Sequence, residues 1–282
     1  LFADSFDLYS MLAQKYDVVN GAATISSSNP RTGAQSMKTT TSNQWVQKNI
    51  ALNQTVIAGI GFDLVAGAVG NTSIISFMDG NIDQVSVGTD GSGHLIAYRG
   101  GVATGVLLGT SVAAMSFGTY HYIEAKVKAN TVSGTVDVHV DGISFLSLAG
   151  INTSFSGMPQ IGSVISGTLN GGTGNTIYWD DFYICDSNGS FNNTFLGPTS
   201  ILALLPTGNG STDQWTIGGS APAGTNWQSV NENPPNDGVT FVDDGTVGHI
   251  DRYTFPSIAS AYPTLTIGSI SGVVVNLRAE ID

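Results

Sequence analysis

The sequence predicts an all-β protein: an antiparallel jelly-roll sandwich followed by a second, smaller β domain. Three observations carry this. Two neighbouring segments alternate with strict period two. In GTYHYIEAKVK, His121, Ile123, Ala125 and Val127 fall on one face, with Tyr120, Tyr122, Glu124, Lys126 and Lys128 on the other. In the next segment Val136, Val138 and Val140 alternate with Thr135, Asp137, His139 and Asp141. Such alternation marks strands with one buried face. Turn chemistry also recurs at the spacing of an antiparallel meander, at Asp79-Gly80-Asn81, Asp90-Gly91, Gly100-Gly101 and Asp141-Gly142. Helix signals are scarce, with only Ser10 to Tyr16 reading as one short helical turn.

Taken in order, strands are expected near residues 44–50, 56–65, 73–78, 83–87, 94–98, 103–108, 119–128, 134–140, 143–148, 160–165 and 176–185. This suits two packed antiparallel sheets. Asp141-Gly142 lies between VHV and ISF, and Asp-Gly fits the positive-φ positions of a type I′ hairpin turn. Pairing of the two alternating strands brings Lys126 and Lys128 near Asp137 on the outward face. The last strand, TIYWDDFYIC, has apolar residues on both faces: Ile177, Trp179 and Tyr183 on one, Tyr178, Phe182 and Ile184 on the other. It reads as a central strand covered on both sides. The first domain therefore spans 1–186. The polar run DSNGSFNNTFLGP marks a linker at 187–199. A second domain, 200–282, is richer in Pro and Gly, with Trp215, Trp227, Tyr253 and Phe255 as the expected seeds of its core. It closes on the strand-like GVVVNLRAEID and reads as incomplete at its C-terminus.

Composition narrows the function classes. The chain has 282 residues and is 41% hydrophobic, enough to build a core. Only 11% of residues are charged, against roughly 25% in ordinary soluble domains; Ser, Thr, Asn and Gly must keep the surface wet. Nine Lys and Arg stand against 21 Asp and Glu, a net charge of −12. No basic stripe is available to neutralise phosphates, which argues against nucleic acid as a partner. No apolar run is long enough for a membrane helix, so no membrane insertion is expected. The start, LFADSFD, lacks the pattern of a secretory signal. The single cysteine, Cys185, excludes an intramolecular disulfide and reads as a small buried hydrophobe.

FADSFD, GTYHYIEAKVK, DVHVDG and YWDDFYICDSNGS together resemble concanavalin-A-like, laminin-G-like jelly rolls. Across Tyr178 to Pro206, WDDFYICDSNGSFNNTFLGPTSILALLP is similar to a block of tailed-phage and prophage structural proteins. NWQSVNENPPNDGVTFV and GHIDRYTFPSI extend that likeness over most of the chain. The resemblance implies a non-enzymatic virion component on the tail or another surface appendage. Its partners would be other virion proteins and further copies of itself, a trimer being the expectation from other appendages. Host-surface glycans are a further partner class. Capsid decoration, a neck position and a carbohydrate-binding module are the alternatives.

The resemblance also implies that the first and last strands are neighbours, so that two or three of Asp4, Asp7, Asp180 and Asp181 meet where related jelly rolls often hold a structural Ca²⁺. Backbone carbonyls would complete its roughly six to eight oxygens. The competing reading is that these carboxylates cap turns or face solvent. Tyr120, Tyr122 and Trp45 are the candidates for ligand or subunit contact. The two tyrosines lie on the outward face, where sugar stacking competes with contact to a neighbouring subunit or domain, and the latter is favoured. Asp137-x-His139-x-Asp141 shares one strand face, but no Glu-rich glycosidase strand accompanies it, and Asp141 is better used in the turn. No catalytic residue is assigned. His121, on the apolar face, is expected to be a hydrogen-bonded core residue.

Overall fold

The computed structural model describes residues 2–65, 70–102, 104–169, 175–220, 224–236 and 238–279. Among the described residues, fifteen strands build the first unit: β1 (Phe2–Asp4), β2 (Val18–Asn20), β3 (Thr24–Ser26), β4 (Ser36–Thr39), β5 (Gln44–Asn53), β6 (Thr55–Leu64), β7 (Thr72–Asp79), β8 (Ile82–Thr89), β9 (His94–Arg99), β10 (Val106–Ala114), β11 (His121–Lys128), β12 (Gly134–Val140), β13 (Ile143–Ile151), β14 (Ile161–Thr168) and β15 (Ile177–Asp186). They form two antiparallel sheets. One has the order β13-β12-β11-β6-β15-β4-β3, with β1 also paired to β15; the other runs β10-β9-β8-β7-β14-β5-β2. This is the jelly-roll sandwich that the alternation predicts.

All eleven expected strands are present, displaced by a few residues. The sixth is the furthest off: β10 begins at Val106 and runs on to Ala114, and Ala103, where it was expected to start, lies outside the described residues. The first strand, β1, lies beside the last one, β15, as the resemblance implies; the short strands β2 to β4 were not anticipated. With three or four residues each, they are too brief to show a period. The expected helical turn is a 3-10 turn at Leu12–Gln14. The Asp141-Gly142 hairpin has positive φ at both central residues, 52° and 81°, as a type I′ turn requires.

The core between the sheets follows the alternation. Phe62, Ile60, Ile123 and Ala125 from one sheet are fully buried, as are Phe77, Val85, Val87 and Val164 from the other. Trp179 packs on Phe62 with ring centroids 5.2 Å apart, and its indole N–H donates to Thr39 Oγ1 at 3.0 Å. Fully burying each such side chain stabilises by ~1.5–3 kcal/mol.

The division of the chain differs from the expected boundaries. One compact unit comprises Leu1–Phe6, Met11–Ile201 and Ser271–Asp282; the other comprises Asp7–Ser10 and Leu202–Ile270. The expected linker thus belongs to the sandwich. In the second unit, β16 (Gly208–Asp213) pairs with β19 (Asp251–Thr254), and β17 (Thr216–Gly219) with β18 (Thr240–Asp243). Its expected aromatic core forms only in part: Trp215 and Phe255 are exposed, and Trp227 and Tyr253 are half-buried. The Asp251 carboxylate is its hub instead. It accepts from the amides of Gln214 (2.7 Å) and Trp215 (2.8 Å), from Asn226 Nδ2 (2.7 Å) and from the Tyr253 hydroxyl (2.9 Å). The strands of this unit are short and rich in Gly, Thr and Asp, and polar contacts of this kind tie them together. The end of the expected C-terminal strand, 280–282, lies outside the described residues; 271–279 form no strand.

Candidate functional site

The chemistry of the sandwich concentrates on the outer face of the eight-stranded sheet. Register makes this face. Glu124 pairs with Gly59, and Gly59 with Tyr183; Tyr122 pairs with Gly61, and Gly61 with Asp180. Two glycines two residues apart leave a trough between these side chains. A Cβ on Gly59 would lie 2.3 Å from Tyr183 Cε1, and one on Gly61 2.7 Å from Arg31 Cδ. The tyrosine ring and the arginine stem lie flat on the sheet because nothing projects from it there.

Tyr183 reaches this face through a β-bulge. The register of β15 against β6 shifts between Asp180 and Tyr183, and Asp181 takes φ 54°. The extra residue reverses the alternation. Trp179 therefore points into the core while Tyr183 points away from it, although strict alternation placed both on one face.

Residues 195–201 cross this face as a strap. Phe195, Leu196 and Ile201 pack on a buried cluster of Ile57, Tyr122, Tyr183 and Cys185. Glu124 is the polar anchor. Its Oε1 accepts from the Tyr183 hydroxyl at 2.5 Å and from the Leu196 and Gly197 amides, each at 2.9 Å. Asp181 is the second anchor. Its Oδ1 accepts from the Ile201 amide and the Thr32 hydroxyl, both at 2.7 Å, and its Oδ2 pairs with the Arg31 guanidinium. Arg31 also donates to the Thr199 carbonyl at 2.8 Å and lies over the Tyr122 ring, 4.8 Å from its centroid. Asp180 holds the adjoining loop, accepting from the Arg31 amide (2.7 Å) and the Thr32 amide (3.1 Å). Burial pushes both aspartate carboxyls up; the neighbouring Asp181 adds to this at Asp180, whereas Arg31 pulls Asp181 back down. Burial, and then the charge of Glu124, lifts the Tyr183 phenol far above its ordinary range, so it remains a donor.

The expected site residues fall in separate places. Tyr122 was read as outward-facing and is 1% exposed, its hydroxyl donating to the Asp181 carbonyl at 3.0 Å. Glu124, read on the same solvent face, is fully buried. The physical reason is the strap, which covers a face that alternation alone leaves open. Tyr120 is half-buried and donates to the Asn29 carbonyl at 2.7 Å. Trp45 lies on the seven-stranded sheet, paired with Gly167 and Asn20, so the three aromatics do not meet. Cys185 is buried as expected, which pushes its thiol up to about 11.

Asp4 does lie beside β15, paired with Phe182. Its carboxylate accepts from the Phe6 amide (3.2 Å) and the Tyr16 hydroxyl (2.8 Å). Asp7 groups with the other unit. The Asp180–Asp181 pair does not fit a Ca²⁺ ion. Its oxygens face N–H and O–H donors, and a guanidinium already supplies the positive charge. No group of three or more His, Cys, Asp or Glu converges among the described residues. His121 is half-buried, bonded to Asp141 Oδ2 (2.7 Å) and Ser116 Oγ (2.9 Å). Asp141 Oδ1 caps the Tyr122 amide at 2.8 Å. His139 stacks on Phe195 of the strap, centroids 4.0 Å apart, and lies 3.8 Å from Asp137. Lys126 sits directly opposite Asp137, as expected. The residues that sequence reasoning missed are Arg31, Thr32 and the strap itself. Its apolar Phe195, Leu196 and Ile201 were the available signal.

A second feature is a cavity of about 350 Å³ at the side of the sandwich, between the end of β15 and the outer half of β5.

No family model matches the chain, and no curated protein matches it. Among solved structures, cellulose induced protein Cip1 is similar with a TM-score of 0.50 and 15% identity, over 71% of this chain and 100% of that one. Alginate lyase Aly36B gives 0.42 and 10% over 65% and 96%. Botulinum neurotoxin type C gives 0.44 and 10% over 64% of this chain and 47% of the toxin chain. The likeness to Cip1 is one of fold: an all-β, antiparallel jelly-roll sandwich.

Proposed function

We propose that this protein is a non-enzymatic structural module of a tailed-phage virion, borne on the tail or another surface appendage. The observation that carries the non-enzymatic part is the use made of its acidic groups. Glu124, Asp180 and Asp181 are buried and bound by donors of the strap and of the loop at 31–32. The Asp141 carboxylate caps the Tyr122 amide and the His139 ring stacks on Phe195, while Asp137 lies opposite Lys126. Hydrolysis of a glycosidic bond needs two carboxyls facing one another across an open cleft; these face the protein's own backbone. A sandwich that clamps its own exit segment suits a part that must hold position in an assembly. The virion assignment rests on the resemblance of the block from Tyr178 to Pro206. Cryo-electron microscopy of purified particles tests it. Density for this fold on an appendage supports the proposal and gives the copy number, and absence of the chain from particles overturns it.

A second reading, a carbohydrate-binding module that contacts the host surface, is favoured by the side cavity. Its wall joins apolar residues to amide, carboxylate and ammonium groups, the mixture that ligand pockets use. Binding of the chain to host polysaccharide in a pull-down tests it, and no retention refutes it.

A further inference from the structure

We infer that one side of the sandwich is a self-association surface, on which the edge strand β13 pairs antiparallel with β13 of a second copy of this chain. The inference goes beyond the virion reading and does not depend on it. The two sides of the sandwich end differently. On one, the sheets finish in β3 and β2, of three residues each. On the other they finish in β13 and β10, of nine residues each. A sheet edge presents a row of unpaired N–H and C=O groups, and proteins guard it with short strands, charged side chains or proline. The first side is guarded by its short strands. The second has neither charge nor proline: β13 reads ISFLSLAGI and β10 reads VLLGTSVAA.

This edge is open as well as unguarded. Among the described residues, no hydrogen bond reaches the β13 backbone from any element but β12. Ile143 on β13 is 66% exposed, and Val106, Leu107 and Val112 on β10 are 51%, 50% and 99% exposed. The two strands lie together: a Cβ on Gly109 of β10 would stand 3.0 Å from Leu148 of β13. Leu146 anchors β13 in the core, while Ser147 and Ala149 stay exposed. Register shifts flank a stretch from Leu146 to Ala149 that follows β12 residue for residue. This regular stretch is where a partner strand adds.

Charge and geometry select the occupant. The chain carries a net charge of −12, so two copies repel one another in general; on this side neither edge strand brings a charged side chain. The occupant must also offer two uncharged edges one sheet spacing apart, roughly 10 Å. The same side of a second copy offers both. A strand that pairs with its own copy does so antiparallel, about a twofold axis. An axis along the sheet normal sets β13 on β13, with roughly one hydrogen bond for each residue paired, and brings the two β10 strands face to face. β10 is bulged twice against β9, so it contributes the apolar contact of Val106, Leu107 and Val112 rather than a ladder. The product is a dimer in which the two eight-stranded sheets run on as one.

The test is sedimentation velocity of the full chain from about 1 to 100 μM, a range that registers micromolar association, with hydrogen exchange read by mass spectrometry at both ends of it. The expected result is a species of twice the 29.2 kDa chain mass that grows with concentration. Exchange of the 143–151 peptide should slow by about tenfold or more at the upper end, while the peptides of β2 and β3, which are edges too, stay unchanged. Ser147→Lys combined with Ala149→Lys sets ammonium groups along the partnered stretch, the natural guard of an edge. The double variant should associate about tenfold or more weakly with the melting temperature of the dilute chain unmoved. Two added lysines lower the net negative charge, so general repulsion does not account for that loss. Should the double variant fold poorly, the exchange contrast in the parent chain decides alone. A monomer throughout the range overturns the proposal, as does association that leaves 143–151 exchange unchanged, yields odd-numbered assemblies, or survives both lysines undiminished.

Discussion

Replacing Glu124 by Ala isolates the strap. Glu124 Oε1 is the common acceptor for the Leu196 amide, the Gly197 amide and the Tyr183 hydroxyl. A net hydrogen bond contributes ~0.5–1.5 kcal/mol, and one to a charged group ~1.5–3. Truncation deletes three. It also relieves the burial of a carboxylate whose Oε2 has no hydrogen-bond partner among the described residues, which offsets part of the loss. We expect a net cost of about 3 kcal/mol, borne first by the strap, because Leu196 and Gly197 are only half-buried and can turn to water. Hydrogen exchange read by mass spectrometry checks this. At tenfold per 1.4 kcal/mol, protection of the 195–201 peptide should fall by roughly 100-fold. The peptides of β6 and β11 should change much less. Glu124→Gln keeps an acceptor in the same place and should cost about 1 kcal/mol; Tyr183→Phe removes one bond of the three and should cost about the same. Exchange of 195–201 in the Ala variant within about threefold of the parent would refute the view that Glu124 fastens this segment.

Three further outcomes follow from the same geometry. Gly59→Ala puts a Cβ 2.3 Å from the Tyr183 ring and should lower stability in urea unfolding by about 2 kcal/mol; an unchanged midpoint would show that the ring is free to move aside. Asp181→Asn keeps an acceptor for Thr32 and Ile201 and tolerates φ 54°, losing mainly the partner of Arg31, at about 2 kcal/mol. Asp181→Ala adds left-handed strain and should lose roughly 1–2 kcal/mol more; equal midpoints for the two variants would refute the separation. Burial pushes the Asp83 carboxyl up to about 6 from an ordinary 3.8, against a smaller opposing contribution from Ser86. The folded state then holds a proton that the unfolded chain releases earlier. Its contribution is fully present below pH about 4 and is lost as pH rises through about 6, by about 3 kcal/mol. Asp83→Asn should flatten that part of the stability–pH curve, and an unaltered slope would count against a buried Asp83.

Much of this fold was legible because period-two alternation is a local property. The paired faces of β11 and β12, the Asp141-Gly142 turn and the central, doubly covered position of β15 all follow from residues within a few places of one another. Alternation divides a strand into two faces, however, and does not say what lies over each. Tyr120, Tyr122, Glu124, Lys126 and Lys128 share one face in the sequence. In the structure Tyr122 and Glu124 are sealed while the two lysines stay half-exposed, because the strap crosses only part of that face. The donors that make a buried Glu124 tolerable come from residues 72 and 73 places away, and no window of sequence contains both.

The bulge at Asp181 shows why such a site resists reading by pattern. One extra residue moves Tyr183 from the core side of β15 to its outer side. That single displacement places its hydroxyl on Glu124, its ring against Tyr122 and its weight over Gly59. The same residue that breaks the alternation also turns its carboxylate to Arg31, Thr32 and Ile201. The irregularity and the clamp are therefore one feature: a straight β15 would point Tyr183 into the core and leave Glu124 without a hydroxyl donor. What remained visible in the sequence was its imprint on neighbouring strands, Gly59-x-Gly61 on β6 beside Tyr122-x-Glu124 on β11, small residues set against large polar ones at matching spacing. A glycine pair in a buried strand signals that something must lie flat there, and in this protein that something is the hardware that binds the strap.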